Sequence, residues 1–248
     1  MKIDLVGKRA LVTGGSQGIG KVICEELAKC GCEVIVNCAH NIANAQNVAD
    51  GINQAGGKAS VYRCDVSDEQ AVKKMFDDLG ELDILVNNAR LDPWLRDPSI
   101  SEGDWFSKVM DVNLKGAFLC SWEFFPRACE RKYGRIINIS SVRAYRPAEM
   151  SNIAYGASKA GMHSLARAFA DNGAKFNVTA NCICPGMVVT ENIDKRLSPE
   201  KKAMEMAAIP AQRGAESCEI ADAVLFLIGN AYVTGSMINV SGGMYYEA

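Results

Sequence analysis

Tyr155 and Lys159 stand four residues apart in the run Tyr155-Gly156-Ala157-Ser158-Lys159. On a helix that spacing puts both side chains on one face, one turn apart. A free phenol ionises near pH ~10, too high to exchange protons readily at neutral pH; a nearby ammonium favours the phenolate and lowers that value. A phenol tuned in this way is a general acid or base toward a carbonyl or hydroxyl oxygen. Tyr-x-x-x-Lys alone is a short pattern that a chain of 248 residues can carry by chance, so its meaning depends on what lies beside it.

Far upstream a strand-like run ends in Thr13-Gly14-Gly15-Ser16-Gln17-Gly18-Ile19-Gly20. Gly14, Gly18 and Gly20 follow G-x-x-x-G-x-G rather than the G-x-G-x-x-G dinucleotide fingerprint. The physics is shared: glycines keep the turn tight, let backbone approach a pyrophosphate, and let the helix pack closely on the sheet. Ser16, Gln17 and Ile19 share that loop, where the helix N-terminus offers free N–H groups to an anion. A merely tight turn is the alternative. A dinucleotide beside a tuned phenol implies hydride exchange at carbon and proton exchange at oxygen, the chemistry of a carbonyl/alcohol oxidoreductase.

The length of 248 residues suits one α/β domain, 1–248, with a sizeable core. Net charge of −2 gives no support for nucleic acid or an anionic membrane as partner. The N-terminus lacks the apolar core of a signal peptide, and no apolar run reaches membrane-spanning length. A cytoplasmic protein is the expectation. The ten cysteines then read as buried free thiols rather than disulfides. Cys30/Cys32 and Cys182/Cys184 lack C-x-x-C spacing, and no metal site is expected.

Short apolar runs at 9–13, 33–37, 59–63, 84–86, 135–139, 178–183 and 238–240 read as strands. Helical patterns fall at 18–29, 41–55, 68–79 (with Ser67 as N-cap), 104–132, 154–174 and 219–228. Strands alternating with helices predict a Rossmann-type doubly wound parallel sheet of about seven strands with helices on both faces. Ligands are then expected at the carboxyl ends of the strands. Residues 187–215 are the least regular stretch and are expected to form a lid over the substrate.

Several strand ends face the expected crevice. Asp65, after the third strand, can accept from the adenine amino group or cap the next helix. Asn87-Asn88-Ala89, after the fourth, can abut the cofactor or form an Asx-turn. An acid at the end of the second strand would bind the adenosine 2′-hydroxyl. Asn37, Cys38, Ala39 and His40 supply none, which favours NADP(H) over NAD(H). No Arg or Lys stands there either, leaving His40 and backbone to meet a 2′-phosphate.

Thr13 to Gly20, Asp65-Val66, Asn87-Asn88-Ala89, Asn113, Ser141, Tyr155/Lys159 and Pro185-Gly186 occur in the order found in classical short-chain dehydrogenases/reductases. The chain resembles that family over essentially its whole length and, within it, 3-oxoacyl-carrier-protein reductase-like ketoreductases. The resemblance implies a catalytic set of Asn113, Ser141, Tyr155 and Lys159. Tyr155 donates the proton, Ser141 binds the substrate oxygen, and Lys159 holds nicotinamide ribose hydroxyls and acidifies the phenol. Asn113 holds a water linking Lys159 to solvent. Pro185, Gly186 and Met187 are expected against the nicotinamide, with Val188 backbone on its carboxamide and Thr190 on a phosphate or amide. Three departures stand out: Arg90 replaces the usual glycine after Asn-Asn-Ala, Ser241 replaces the usual acid before the last Gly-Gly, and Ser141 precedes Tyr155 by fourteen positions, one more than in many relatives.

Substrate walls are expected from 90–98, 142–153 and 187–215, with Arg90, Trp94, Arg143, Tyr145, Met150 and Met187 as contacts. An apolar slot rimmed by arginines suits a keto or hydroxy substrate bearing an anionic group or a thioester, free or carrier-linked. The resemblance also implies a homotetramer. The tail Met244-Tyr245-Tyr246 packs either at a second interface or on its own subunit. NADPH-dependent ketone reduction is the leading expectation. An alcohol, sugar or steroid dehydrogenase acting oxidatively is the alternative enzyme, and a non-catalytic cofactor-binding scaffold the alternative of another class.

Overall fold

A computed structural model describes residues 3–92, 96–146, 150–191, 193 and 197–245. The apolar runs form β1 (Arg9–Val12), β2 (Glu33–Cys38), β3 (Lys58–Arg63), β4 (Ile84–Asn87), β5 (Gly134–Ile139), β6 (Val178–Pro185) and β7 (Met237–Val240). They pair in parallel in the order β3-β2-β1-β4-β5-β6-β7. The helices are α1 (Gly18–Lys29), α2 (Ile42–Gln54), α3 (Glu69–Leu79), α4 (Glu102–Met110), α5 (Gly116–Arg131), α6 (Ile153–Gly173), α7 (Pro199–Ala207) and α8 (Ser217–Gly229).

The two-residue period of a strand sends alternate side chains to opposite layers. Val12, Val86 and Ile137 join Ile23, Val48 and Val224 in one core. Leu11, Leu85 and Ile136 join Met75, Phe124 and Phe169 in the other. Both faces are therefore covered, and β5 and β6 are buried along their whole length. That is why these strands read as unbroken apolar runs rather than alternating ones. The Rossmann-type arrangement expected from the pattern is the one found.

Three local expectations are corrected. The helix expected over 104–132 is interrupted: α4 gives way to a π-helical turn, Asp111–Lys115, before α5 resumes. Asp68, not Ser67, caps α3, accepting from Ala71 N at 3.0 Å. Ser67 instead donates its hydroxyl to Asp65 at 2.8 Å. The stretch 187–215 contains α7, started by Ser198 as N-cap with Pro199 in the first turn, a combination readable in advance. The ends of the stretch are hydrogen-bonded to each other, Ala215 N to Met187 O and Val189 N to Ala215 O, both at 2.8 Å. All ten cysteines are free. Among the described residues no helix is long and apolar enough to cross a membrane.

Candidate active site

The sheet order reverses between β1 and β4, which lie side by side while the chain proceeds outward from each. A crevice opens at the carboxyl ends of two such strands, and the glycine loop and Asn87-Asn88-Ala89 both lead into it. A Cβ on Gly20 would lie 2.4 Å from the Gly14 carbonyl oxygen, and Gly18 has φ +52°, so neither position tolerates a side chain. Helix α1 starts with no side-chain cap and no acid in its first turn. By contrast α2, α3, α4 and α7 are capped by Asn41, Asp68, Ser101 and Ser198. Uncapped N–H groups at the positive end of a helix dipole are ligands for a phosphate anion. Thr190 reaches the same place from beyond β6, its methyl 3.7 Å from where a Gly18 Cβ would be. Ser16, Gln17 and Ile19 line the turn between them. These residues fit a dinucleotide pyrophosphate.

The asparagines hold this crevice open rather than face it. Asn88 Nδ2 donates to the carbonyls of Thr13 and Gly14 at 3.0 and 2.9 Å, stapling β4 to the glycine loop. Ala89 N donates to Thr13 Oγ1 at 3.0 Å. The Asn87 side chain turns into the core, donating to Ser121 Oγ and Asn138 Oδ1. Asn37 is buried as well, accepting from Gly14 N and donating to the carbonyls of Tyr62 and Cys64. Both side-chain nitrogens are thus engaged within the fold, while the buried Asn87 Oδ1 has no partner among the described residues. Cys38 and Val66 are buried, while His40 is exposed. Asp65 accepts from the backbone and hydroxyl of Ser67, an Asx-turn at the end of β3 that orients its carboxylate.

One residue at that end was not expected. Arg63, the last of β3, is in register with Cys38, and its Nε donates to the Ala39 carbonyl at 3.1 Å. A cation absent from the end of β2 thus stands on the adjacent strand. Only the parallel pairing of β2 with β3 reveals it.

Tyr155 lies in the first turn of α6, with Ser141 close enough to its hydroxyl to act on it. The extra residue between them is absorbed in a loop carrying two short 3₁₀ turns, Val142–Ala144 and Met150–Asn152. Burial pushes the Tyr155 phenol up; Arg90 and the Ser141 hydroxyl pull it back down, Asp92 raises it and Arg143 lowers it. Arg90 is ion-paired with Asp92 at 2.9 Å. Lys159 is fully buried, its Nζ donating to the Ile139 carbonyl at 2.8 Å and lying 5.6 Å from the Tyr155 ring centroid. Burial, then Arg90, push the Lys159 ammonium down to about 7. Arg90 and Arg143 are thus further cations that act on Tyr155, beside Lys159.

Asn113 sits at the centre of the π-helical turn. Its Oδ1 accepts from Leu91 N at 2.6 Å and its Nδ2 donates to Ser158 Oγ at 3.3 Å. The widened turn aims this amide at the residue after Arg90 and at the residue before Lys159. Asn113, Ser141, Tyr155 and Lys159 thus converge beside the crevice.

Of the expected substrate contacts, Trp94 lies outside the described residues. Tyr145 packs on His163 and stacks on Tyr245, with centroids 4.8 and 4.3 Å apart. Arg146 donates to the Met244 carbonyl at 3.1 Å. The tail through Tyr245 therefore covers its own subunit; Tyr246 is outside the described residues. Met187 is half-buried at the base of the 187–215 stretch, and Met150 is 85% exposed. Gly186 packs against Ser241 and Met244, and Val188 bridges to Ala215.

Residues 8–201 match the family described as short chain dehydrogenase. The chain is 38% identical to acetoacetyl-CoA reductase of Rhizobium meliloti, over 96% of this chain and 98% of that protein. It is 36% identical to the 3-oxoacyl-[acyl-carrier-protein] reductase FabG of Staphylococcus aureus, over 96% and 98%. A solved structure of 3-oxoacyl-[acyl-carrier protein] reductase from Brucella melitensis superposes with a TM-score of 0.89 at 28% identity, covering 98% and 93% of the two chains. The order of motifs, the sheet and these similarities agree: the chain belongs to the short-chain dehydrogenase/reductase family of NAD(P)-binding oxidoreductases.

Proposed function

We propose that the protein reduces a ketone to a secondary alcohol with NADPH, the substrate being a 3-oxoacyl thioester or a similar keto compound. The observation that carries this reading is the buried Tyr155 phenol in the first turn of α6, with Ser141 acting on it and Lys159 Nζ 5.6 Å from its ring centroid. A bound nicotinamide cofactor supplies the hydride. Tyr155, kept protonated by burial, donates its proton to the carbonyl oxygen. Ser141 holds that oxygen in place and stabilises the charge that develops on it. Lys159, at about 7, exchanges protons near neutral pH within the same pocket. Arg90 and Arg143 sit close enough to act on the phenol and favour a substrate with a negative group near its carbonyl. The names of the acetoacetyl-CoA and 3-oxoacyl-carrier relatives point to thioesters. By the same kinship the protein is a homotetramer of single-domain subunits, with residues 187–215 as its lid.

The test is a screen of 3-oxoacyl thioesters, keto acids and cyclic ketones with NADPH and NADH, following nucleotide absorbance. Tyr155→Phe is expected to lower kcat at least about 10²-fold while leaving NADPH binding intact. Full activity in Tyr155→Phe, or no turnover of any keto substrate by the native enzyme, rejects the reading. A kcat/KM at least about tenfold higher with NADH overturns the cofactor preference.

A further inference from the structure

Resting on the proposed NADPH preference, we infer that Arg63 is the residue that recognises the 2′-phosphate. The residue at the end of the second strand normally decides between the two nucleotides, because the adenosine ribose lies there. In this chain that end is Cys38, followed by Ala39, and no carboxylate occurs from Asn37 to Asn41. Nothing at these positions repels a 2′-phosphate, and nothing there but His40 attracts one.

Arg63 fills the gap from the adjacent strand. Its backbone is in register with Cys38, and its Nε is tied to the Ala39 carbonyl at 3.1 Å. That single bond fixes the guanidinium over the β2–α2 turn and uses one of its five N–H groups. The side chain is exposed, and among the described residues it pairs with no carboxylate. Its charge is felt at Cys38, whose thiol it lowers against the opposing effect of burial. A held, solvent-facing guanidinium with free N–H groups is the fork that binds phosphate by two parallel hydrogen bonds. The only role this leaves to chance is a purely structural tie between β3 and the turn.

Calorimetric titration without turnover separates these roles. Native protein, Arg63→Ala and Arg63→Lys are titrated with NADPH, NADH, 2′,5′-ADP and 5′-AMP. The native protein is expected to bind NADPH and 2′,5′-ADP at least about tenfold tighter than NADH and 5′-AMP, the worth of one charge-assisted contact. In Arg63→Ala that preference falls to about twofold or less, with NADH binding unchanged, and Arg63→Lys recovers part of it. If the native protein is selective and Arg63→Ala stays selective, the inference fails and the cofactor reading stands. If both nucleotides weaken equally in Arg63→Ala, Arg63 only holds the turn, and the inference fails too. If the native protein shows no preference for the 2′-phosphate, both fail.

Discussion

At the scale of single residues the site is governed by two buried ionisable groups whose neutral forms are favoured. Lys159 is held near 7 in the folded protein against 10.5 in its ordinary state. Below about pH 7 both folded and unfolded chains carry its proton, and the folded state bears the whole cost of a buried charge. Between about 7 and 10.5 the unfolded chain binds more protons, so this penalty shrinks as pH rises. Lys159→Met is therefore expected to melt several degrees above the native protein at pH 6, with the gap closing toward pH 10; scanning fluorimetry across that range checks it. The same variant loses activity, a trade of function for stability. Arg90 acts on the phenol in the opposite sense to burial. In Arg90→Gly the Tyr155 phenol titrates higher. The alkaline fall of ketone reduction and the rise of alcohol oxidation should both move to higher pH. Unchanged pH profiles in both directions would show that the charge of Arg90 does not reach the reacting oxygen.

At the scale of elements, the glycines divide by what surrounds them. Gly51 lies exposed inside α2 with nothing within 4 Å of a built Cβ. Gly51→Ala gains helix propensity and should stabilise by about 0.5–1 kcal/mol, a rise of roughly 2–4 °C in Tm at most for a chain of this size. Gly20→Ala meets the Gly14 carbonyl at 2.4 Å and is expected to destabilise by about 1–3 kcal/mol and to abolish NADPH binding. Melting curves with and without nucleotide distinguish the two. The π-helical turn at Asp111–Lys115 belongs at this scale as well. It is invisible in the apolar period of 104–132 because it adds one residue to a turn without changing which residue types are used.

At the scale of the whole molecule, α5 presents an apolar surface with no cover in a single subunit. Trp122 is 61% exposed and packs on Phe118, with ring centroids 5.6 Å apart. A groove beside them is lined by Met110 of α4, Asp111, Leu114 and Lys115 of the π-helical turn, Phe118 of α5, and Gly161, Ser164 and Leu165 of α6. Such a patch on a monomer marks an interaction surface. With the proposed homotetramer, light scattering coupled to size-exclusion chromatography should give four chains for the native protein. Trp122→Glu should give a smaller assembly by burying an unpaired charge. A native monomer, or a Trp122→Glu tetramer, counts against this interface.

Much of the fold was legible because both-face burial writes itself into the strands as unbroken apolar runs, as in Ile136-Ile137 and Cys182-Ile183-Cys184. The glycine loop was legible because close backbone approach leaves no alternative to Gly20. Helix α7 is signalled by Ser198-Pro199 but lacks a long apolar period to mark it within an irregular stretch. Composition and local pattern thus determined the layers, the crevice and the Tyr155/Lys159 pair. Tertiary structure alone decided that Asn37 and Asn87 turn inward, that Lys159 donates to the Ile139 carbonyl, and that Arg90 and Arg143 act on the phenol. It alone brought Arg63 to Ala39. Those are through-space relations between strands and loops far apart in the chain, and hydrogen bonding and charge act over distance, not sequence separation.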